Sequence, residues 1–300
     1  MKNNNSSPAK IVWIPIAASV ITIILKSVAF YITGSVGLLS DAMESFINLT
    51  ASVVAMIALT IACRPPDKQH PFGHHKAEYF SSILEGVLII IAAIAIGVTS
   101  IERLINPHIL EKLNLGLLIS AGASIINFVT ARILFRAGRK YNSITLEADA
   151  QHLMTDVWTT GGVLAGLLLI EITGFSWLDP VIAIAVAVNI VYTGIKLIIR
   201  SVSGFMDTAL TEAELDAVKA ILEKYKKTGI SYHALYTRKS SAMNFITLHL
   251  LMPGDWTVSK GHKITKQIEK DIKCDFPNSD IFIHLEPFND PESFDDVLQD

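Results

Sequence analysis

Charge is scarce in this chain: only 18% of its 300 residues are Asp, Glu, Lys or Arg, where soluble chains carry roughly 25%. The mean hydropathy of +0.44 points the same way and excludes an ordinary soluble globule. Cysteine is nearly absent. Cys63 and Cys274 make neither a disulfide framework nor a Cys-x-x-Cys knuckle. A basic excess is missing too, since the net charge is −3, and Asp290, Glu292, Asp295, Asp296 and Asp300 make the tail acidic. No nucleic-acid partner is expected of such a surface. No Gly-x4-Gly-Lys-Ser/Thr loop occurs, which argues against ATP as an energy source. The His-Glu-x-x-His pair and the many-histidine boxes of membrane metalloenzymes are also missing, so no enzyme activity is expected.

Long apolar runs fill the first two thirds. A helix needs about 20 residues to cross roughly 30 Å of hydrocarbon. Six segments qualify, at 11–31, 36–62, 79–104, 115–135, 144–170 and 178–199, separated by turn-like stretches that include RPPD at 64–67 and RAGRK at 136–140. The first run is followed by no small-residue cleavage site, so it is read as a membrane helix rather than a secretory signal. From Thr211 onward charges recur every few residues. The expected architecture is an α-helical bundle of six transmembrane helices over residues 1–205, followed by a cytoplasmic α+β domain over residues 206–300. That domain reads α-β-β-α-β. A Thr211/Glu214 capping box opens a helix ending near 227, with strands at 231–239 and 244–252, a helix at 258–273 and a strand at 280–285.

Lys and Arg favour cytoplasmic loops. Lys2, Lys10, Arg64, Lys68, Lys76, Arg132, Arg136, Arg139, Lys140, Lys196 and Arg200 fall on one side, against Arg103 and Lys112 on the other. Both termini are therefore expected in the cytoplasm of a multi-pass cell-membrane protein. Lys26 breaks the pattern and is expected to snorkel toward an interface.

Polar side chains interrupt two of the runs in the same way. The second reads DAMESFIN from Asp41 to Asn48, and the fifth reads DAQHLMTD from Asp149 to Asp156. In each, polar residues at i, i+3 and i+7 make a stripe on one helix face: Asp41, Glu44 and Asn48 in one, Asp149, His152 and Asp156 in the other. A carboxylate at the bilayer centre costs roughly 2.5–3.5 kcal/mol even on the lenient insertion scale, so these stripes cannot face lipid. Three arrangements satisfy them: interhelical hydrogen bonds, a metal-free proton relay, or a divalent cation held by Glu44, His152 and Asp156, with Asn48 as a further candidate. Imidazole nitrogen with carboxylate oxygen is a donor set that zinc-like ions take.

Two further clusters favour the cation. RPPDKQHPFGHHKAE gathers Asp67, His70, His74 and His75 in one loop. The soluble part carries His233 and His249 on its central strands, His262 on its second helix, and His284 with Glu286 at its last strand. Any one of these histidines alone reads as a packing or surface residue, and the loop histidines could be incidental.

SVGLLSDAMES (35–45), PPDKQHPFGHHKAE (65–78), LEADAQHLMTDVW (146–158) and SDIFIHLEP (279–287) together resemble the cation diffusion facilitators, membrane proteins that export divalent metal ions in exchange for protons. The resemblance covers nearly the whole chain. It implies a transport site of Glu44, Asn48, His152 and Asp156, a loop site of Asp67, His70 and His74, and a binuclear site of His233, His249, His262, His284 and Glu286. It also implies a homodimer joined through a metallochaperone-like cytoplasmic domain. Glu44 and Asn48 depart from the commonest pattern, which has His or Asp at the first position and Asp at the second. Asn48 offers only a carbonyl oxygen, while Asp41 and Asp149, one turn away, offer further carboxylates. The expected partners are thus protons, membrane lipids, a second copy of the chain and a divalent metal, zinc first, as substrate and regulatory ligand. No prosthetic group is expected.

Overall fold

A computed structural model describes residues 11–33, 36–106, 114–173, 175 and 177–294. Contacts divide the chain into two units, Met1–Val202 and Ser203–Asp300. The first contains helices α1 (Trp13–Thr33), α2 (Val36–Ala62), α3 (Ala77–Ile105), α4 (Asn114–Tyr141), α5 (Ile144–Thr173) and most of α6 (Leu178–Phe205). At ~1.5 Å per residue, the shortest, α1 with 21 residues, is about 30 Å long, a bilayer's hydrocarbon thickness. Among the described residues, Ala77–Glu102 and Pro180–Phe205 are by themselves long and apolar enough to cross a membrane.

The helices bury polarity and expose oil. Glu78, Glu85, Asn127, Asp149 and His152 are buried, while Ile91, Ile94, Val98, Val188, Tyr192 and Ile199 are exposed. A water-facing surface would reverse this distribution. Lys26, expected to snorkel, is only 7% exposed and belongs to the buried polar set.

Helix α5 packs against α2, α3 and α4. Its Leu146, Ala150 and Leu153 share an apolar cluster with Ala55, Leu59, Ala131 and Leu134, while Ala148 joins Ile89, Ala93, Ile190 and Leu197. The RAGRK stretch, expected to be a turn, is helical to Tyr141. Ala, Arg and Lys are good helix formers, and Arg139 and Lys140 in the last turn suit the helix dipole. The chain reverses instead at Asn142, which takes a positive φ of 51°. Gly138 is needed for close approach rather than for breaking the helix: a Cβ there would lie 2.7 Å from Glu147 Cγ.

The second unit follows the expected order. Thr211 and Glu214 form the capping box of α7 (Glu212–Lys226). Strands β1 (Ser231–Ser240), β2 (Met243–Met252) and β3 (Ser279–Pro287), with α8 (Val258–Asp275) before β3, complete it. The sheet runs β1-β2-β3, with β1 antiparallel and β3 parallel to the central β2. Val218, Ile221 and Leu222 of α7 and Ile268 and Ile272 of α8 bury Ile246, Leu248 and Leu250 of β2. Strand periodicity therefore sends His249 to the face away from the helices.

Candidate metal centre

Three helices meet at the intramembrane stripe. Asn48 of α2 donates through Nδ2 to Asp156 Oδ2, and its Oδ1 lies 2.6 Å from His152 Nε2. Asn127 of α4 donates to the same Asp156 oxygen at 3.2 Å. His152 and Asp156 stand one helical turn apart on α5, so both reach one point beside α2. Asn48, Asn127 and His152 are buried, and Asp156 is 9% exposed. With the Asn48 amide nitrogen turned to Asp156, its oxygen accepts the Nε2–H of His152, an orientation set by the network. His152 Nδ1 then meets no hydrogen-bond partner among the described residues. The Glu44 backbone lies one turn before Asn48 in α2, but its side chain is outside the described residues, as is that of Asp41.

The 65–76 loop brings its expected residues together. Asp67 Oδ1 accepts the backbone N–H groups of Gln69 at 2.8 Å and His70 at 2.7 Å, which fixes the carboxylate in an Asx turn. His70 Nδ1 and His74 Nε2 each stand 3.4 Å from an Asp67 oxygen, and one ligand atom from each of the three lies within 4.8 Å of the others. The His70 N–H hydrogen bond, first, holds the Asp67 carboxyl below the usual carboxylate range. Gly73, with φ of 86°, turns the chain back so that His74 faces Asp67. Burial, then the His74 charge, pushes His75 below the ordinary imidazole range. His75 is not part of the three-residue group.

In the sheet, register aligns a row of imidazoles: His233 pairs with His249, and His249 with His284. Glu286, two residues past His284, sits on the same face. Its Oε2 lies 2.7 Å from His233 Nε2, and its Oε1 lies 2.9 Å from His249 Nδ1. The His249 contact is close but lacks hydrogen-bond alignment, and His249 Nδ1 has no hydrogen-bond partner among the described residues. Glu286 thus reaches both imidazoles at once, one with each carboxylate oxygen. His233, His249 and Glu286 form a compact group within 4.8 Å. His284 stands at its margin, 3.8 Å from Glu286 Oε1, with its side chain 56% exposed. His262 is exposed on α8 and is not part of the group.

Two buried residues escaped the sequence reading. Asn127 has one signal, an amide inside the apolar run SIINFVTA. Glu85 has another, an acid within ILEGVLIII. Neither belongs to a repeated stripe.

The helical unit matches the cation efflux transmembrane domain over residues 12–206, and the cation efflux protein cytoplasmic domain matches residues 210–288. The chain belongs to the cation efflux family, the cation diffusion facilitators. It is a membrane transporter of cations and not an enzyme, with a helical transmembrane domain followed by a cytoplasmic domain built on a small mixed sheet. It is 47% identical over 279 residues to the uncharacterized transporter sll1263 of Synechocystis sp., covering 93% of this chain and 90% of that one. It is 29% identical over 272 residues to the cation-efflux pump FieF of Serratia proteamaculans, covering 90% of each. A solved structure of CzrB in its Zn form is 27% identical and covers 28% of this chain and 96% of that chain, with a TM-score of 0.27.

Proposed function

We propose that this cation-efflux protein exports a divalent metal ion, zinc before iron, manganese, cadmium or cobalt, from the cytoplasm in exchange for protons. It works by alternating access, as a homodimer whose six-span protomers keep both termini in the cytoplasm. The observation that carries this reading is the meeting of Asn48, His152 and Asp156 from two helices inside the bundle. A neutral imidazole and a carboxylate at one point form an N/O donor pair for a zinc-like substrate, and Glu44 is assigned to complete the set from the preceding turn of α2.

Moving a dication outward against an inside-negative potential costs roughly 4.6 kcal/mol per 100 mV, twice the single-charge figure. Protons can supply this because they compete for the same atoms. Ligation needs an imidazole lone pair on His152 and an ionised Asp156, and protonating either expels the ion. The ion reaches the site from the cytoplasm, the bundle rocks, and the ion leaves outward as a proton replaces it. The loop group Asp67, His70 and His74 is assigned as a second metal site. In the soluble unit, the metal held by His233, His249 and Glu286, with His284 and His262 assigned as further ligands, tightens the dimer.

Uptake into inverted vesicles tests the reading. Zinc entry should follow an imposed pH gradient, and Asp156→Ala should abolish it. Entry that ignores the gradient rules out antiport, while parental rates in Asp156→Ala remove the site assignment. Competition among the other divalent ions in the same assay ranks the substrates.

A further inference from the structure

A second pair of acids lies inside the bundle, apart from the atoms assigned to the metal. Glu85 of α3 and Asp149 of α5 are each 1% exposed. Both Glu85 oxygens and Asp149 Oδ2 have no hydrogen-bond partner among the described residues. Asp149 Oδ1 accepts from Ser52 Oγ of α2 at 3.2 Å. Helices α3 and α5 pack together, tied by Glu78 to Thr145 below the acids and by the shared cluster of Ile89 and Ala148 beside them.

The described charged groups on the surrounding elements are engaged elsewhere or exposed. Glu78, two turns before Glu85, accepts from Ser143 Oγ and Thr145 N. Glu147 is paired with Arg200 of α6, and Lys196 of that helix is exposed. His152 faces Asn48. On α2, the described neighbour is the uncharged Ser52. Among the described residues, no cation side chain bonds to either acid. Two ionised carboxylates so placed would be strongly disfavoured by desolvation and mutual repulsion. One proton relieves both problems, because a protonated carboxyl carries no charge and gains an O–H donor that a neighbouring carboxylate can accept.

We propose that Glu85 and Asp149 form a proton-carrying carboxyl pair, one helical turn from His152, which holds one proton and releases it when a dication binds at His152 and Asp156. The release rests on the transport reading above; the existence of the pair does not. On release, the O–H bond of the carboxyl breaks and the proton passes to solvent water. The pair goes from one negative charge to two, and the nearby dication offsets the increase. When the ion leaves, a proton from water restores the pair. Proton exchange is thereby shared between the ligands and a separate carrier one turn away.

Infrared difference spectroscopy on the full chain in lipid nanodiscs, with and without zinc, reads the pair directly. The metal-free protein near neutral pH should show the carbonyl stretch of a protonated carboxyl, shifted in D2O and lost when zinc is added. Glu85→Gln should remove that band, and Asp156→Asn should keep it while abolishing its response to zinc. A hydrophobic carbodiimide, which attacks protonated buried carboxyls, should label Glu85 or Asp149 of the unaltered protein, and zinc should protect them; this arm needs no folded variant. A missing band with no labelling overturns the proposal, and so does a band that survives both Glu85→Gln and Asp149→Asn. A band indifferent to zinc overturns the release. Zinc flux through the unaltered protein is measured in parallel, so loss of the export reading is distinguished from loss of the pair.

Discussion

Asn48 is the residue at which the proposed metal site is best tested. It joins the two candidate ligands of α5, donating an amide hydrogen to Asp156 and accepting from His152 with its oxygen. An Asp there would add an anionic oxygen beside a dication in a low-dielectric site. Asn48→Asp is expected to tighten zinc binding about tenfold, ~1.4 kcal/mol, as read by calorimetry; unchanged or weaker binding would show that this side chain does not face the ion. Asp67 is a different case, exposed and fixed by backbone N–H groups. Its carboxyl is depressed in the folded loop, so the stabilisation it gives is present above the ordinary carboxylate pKa. It is lost only as pH falls through the lower, folded value. Amide exchange at Gln69 and His70 should stay slow through the range where an ordinary Asp protonates, then rise. A rise beginning at the ordinary carboxylate pKa would contradict this.

The elements were largely legible in the sequence because each carries its own signal. Long apolar runs marked the helices, Thr211 with Glu214 marked the start of α7, and alternation marked the strands. The end of α4 was not legible. Gly138 reads as a helix breaker, whereas in the fold it lets α5 approach α4 closely, and only the tertiary contact distinguishes the two. Gly138→Leu is accordingly expected to loosen the α4–α5 packing and lower the midpoint of thermal unfolding, without shortening α4 by circular dichroism. Losing the Thr211 cap is a smaller change. Thr211→Ala should cost ~1 kcal/mol in the soluble domain, measured by denaturant unfolding, against ~2–5 kcal/mol for Ile246→Ala in its core. Equal costs would mean that the apolar cluster of β2, α7 and α8 is not what holds this domain.

For the molecule as a whole, residue type and spacing on a single helix announced the repeated stripes, and loop composition announced the histidine cluster. What could not be read was which groups from other helices join them. Asn127 and Glu85 lie on α4 and α3, far from the stripes in sequence, and helical periodicity says nothing about which face of one helix meets another. In the sheet, His233, His249 and His284 fell into a row only because the strand register aligned them, while His262 on α8 lies outside that row. Zinc K-edge X-ray absorption on the full chain isolates the intramembrane site once Asp67→Ala and Glu286→Ala have disabled the other two groups. The bound zinc should show a nitrogen/oxygen shell at about 2.0–2.1 Å with an imidazole contribution that His152→Ala removes. A spectrum without imidazole, or one that His152→Ala leaves unchanged, would contradict a metal held between α2 and α5.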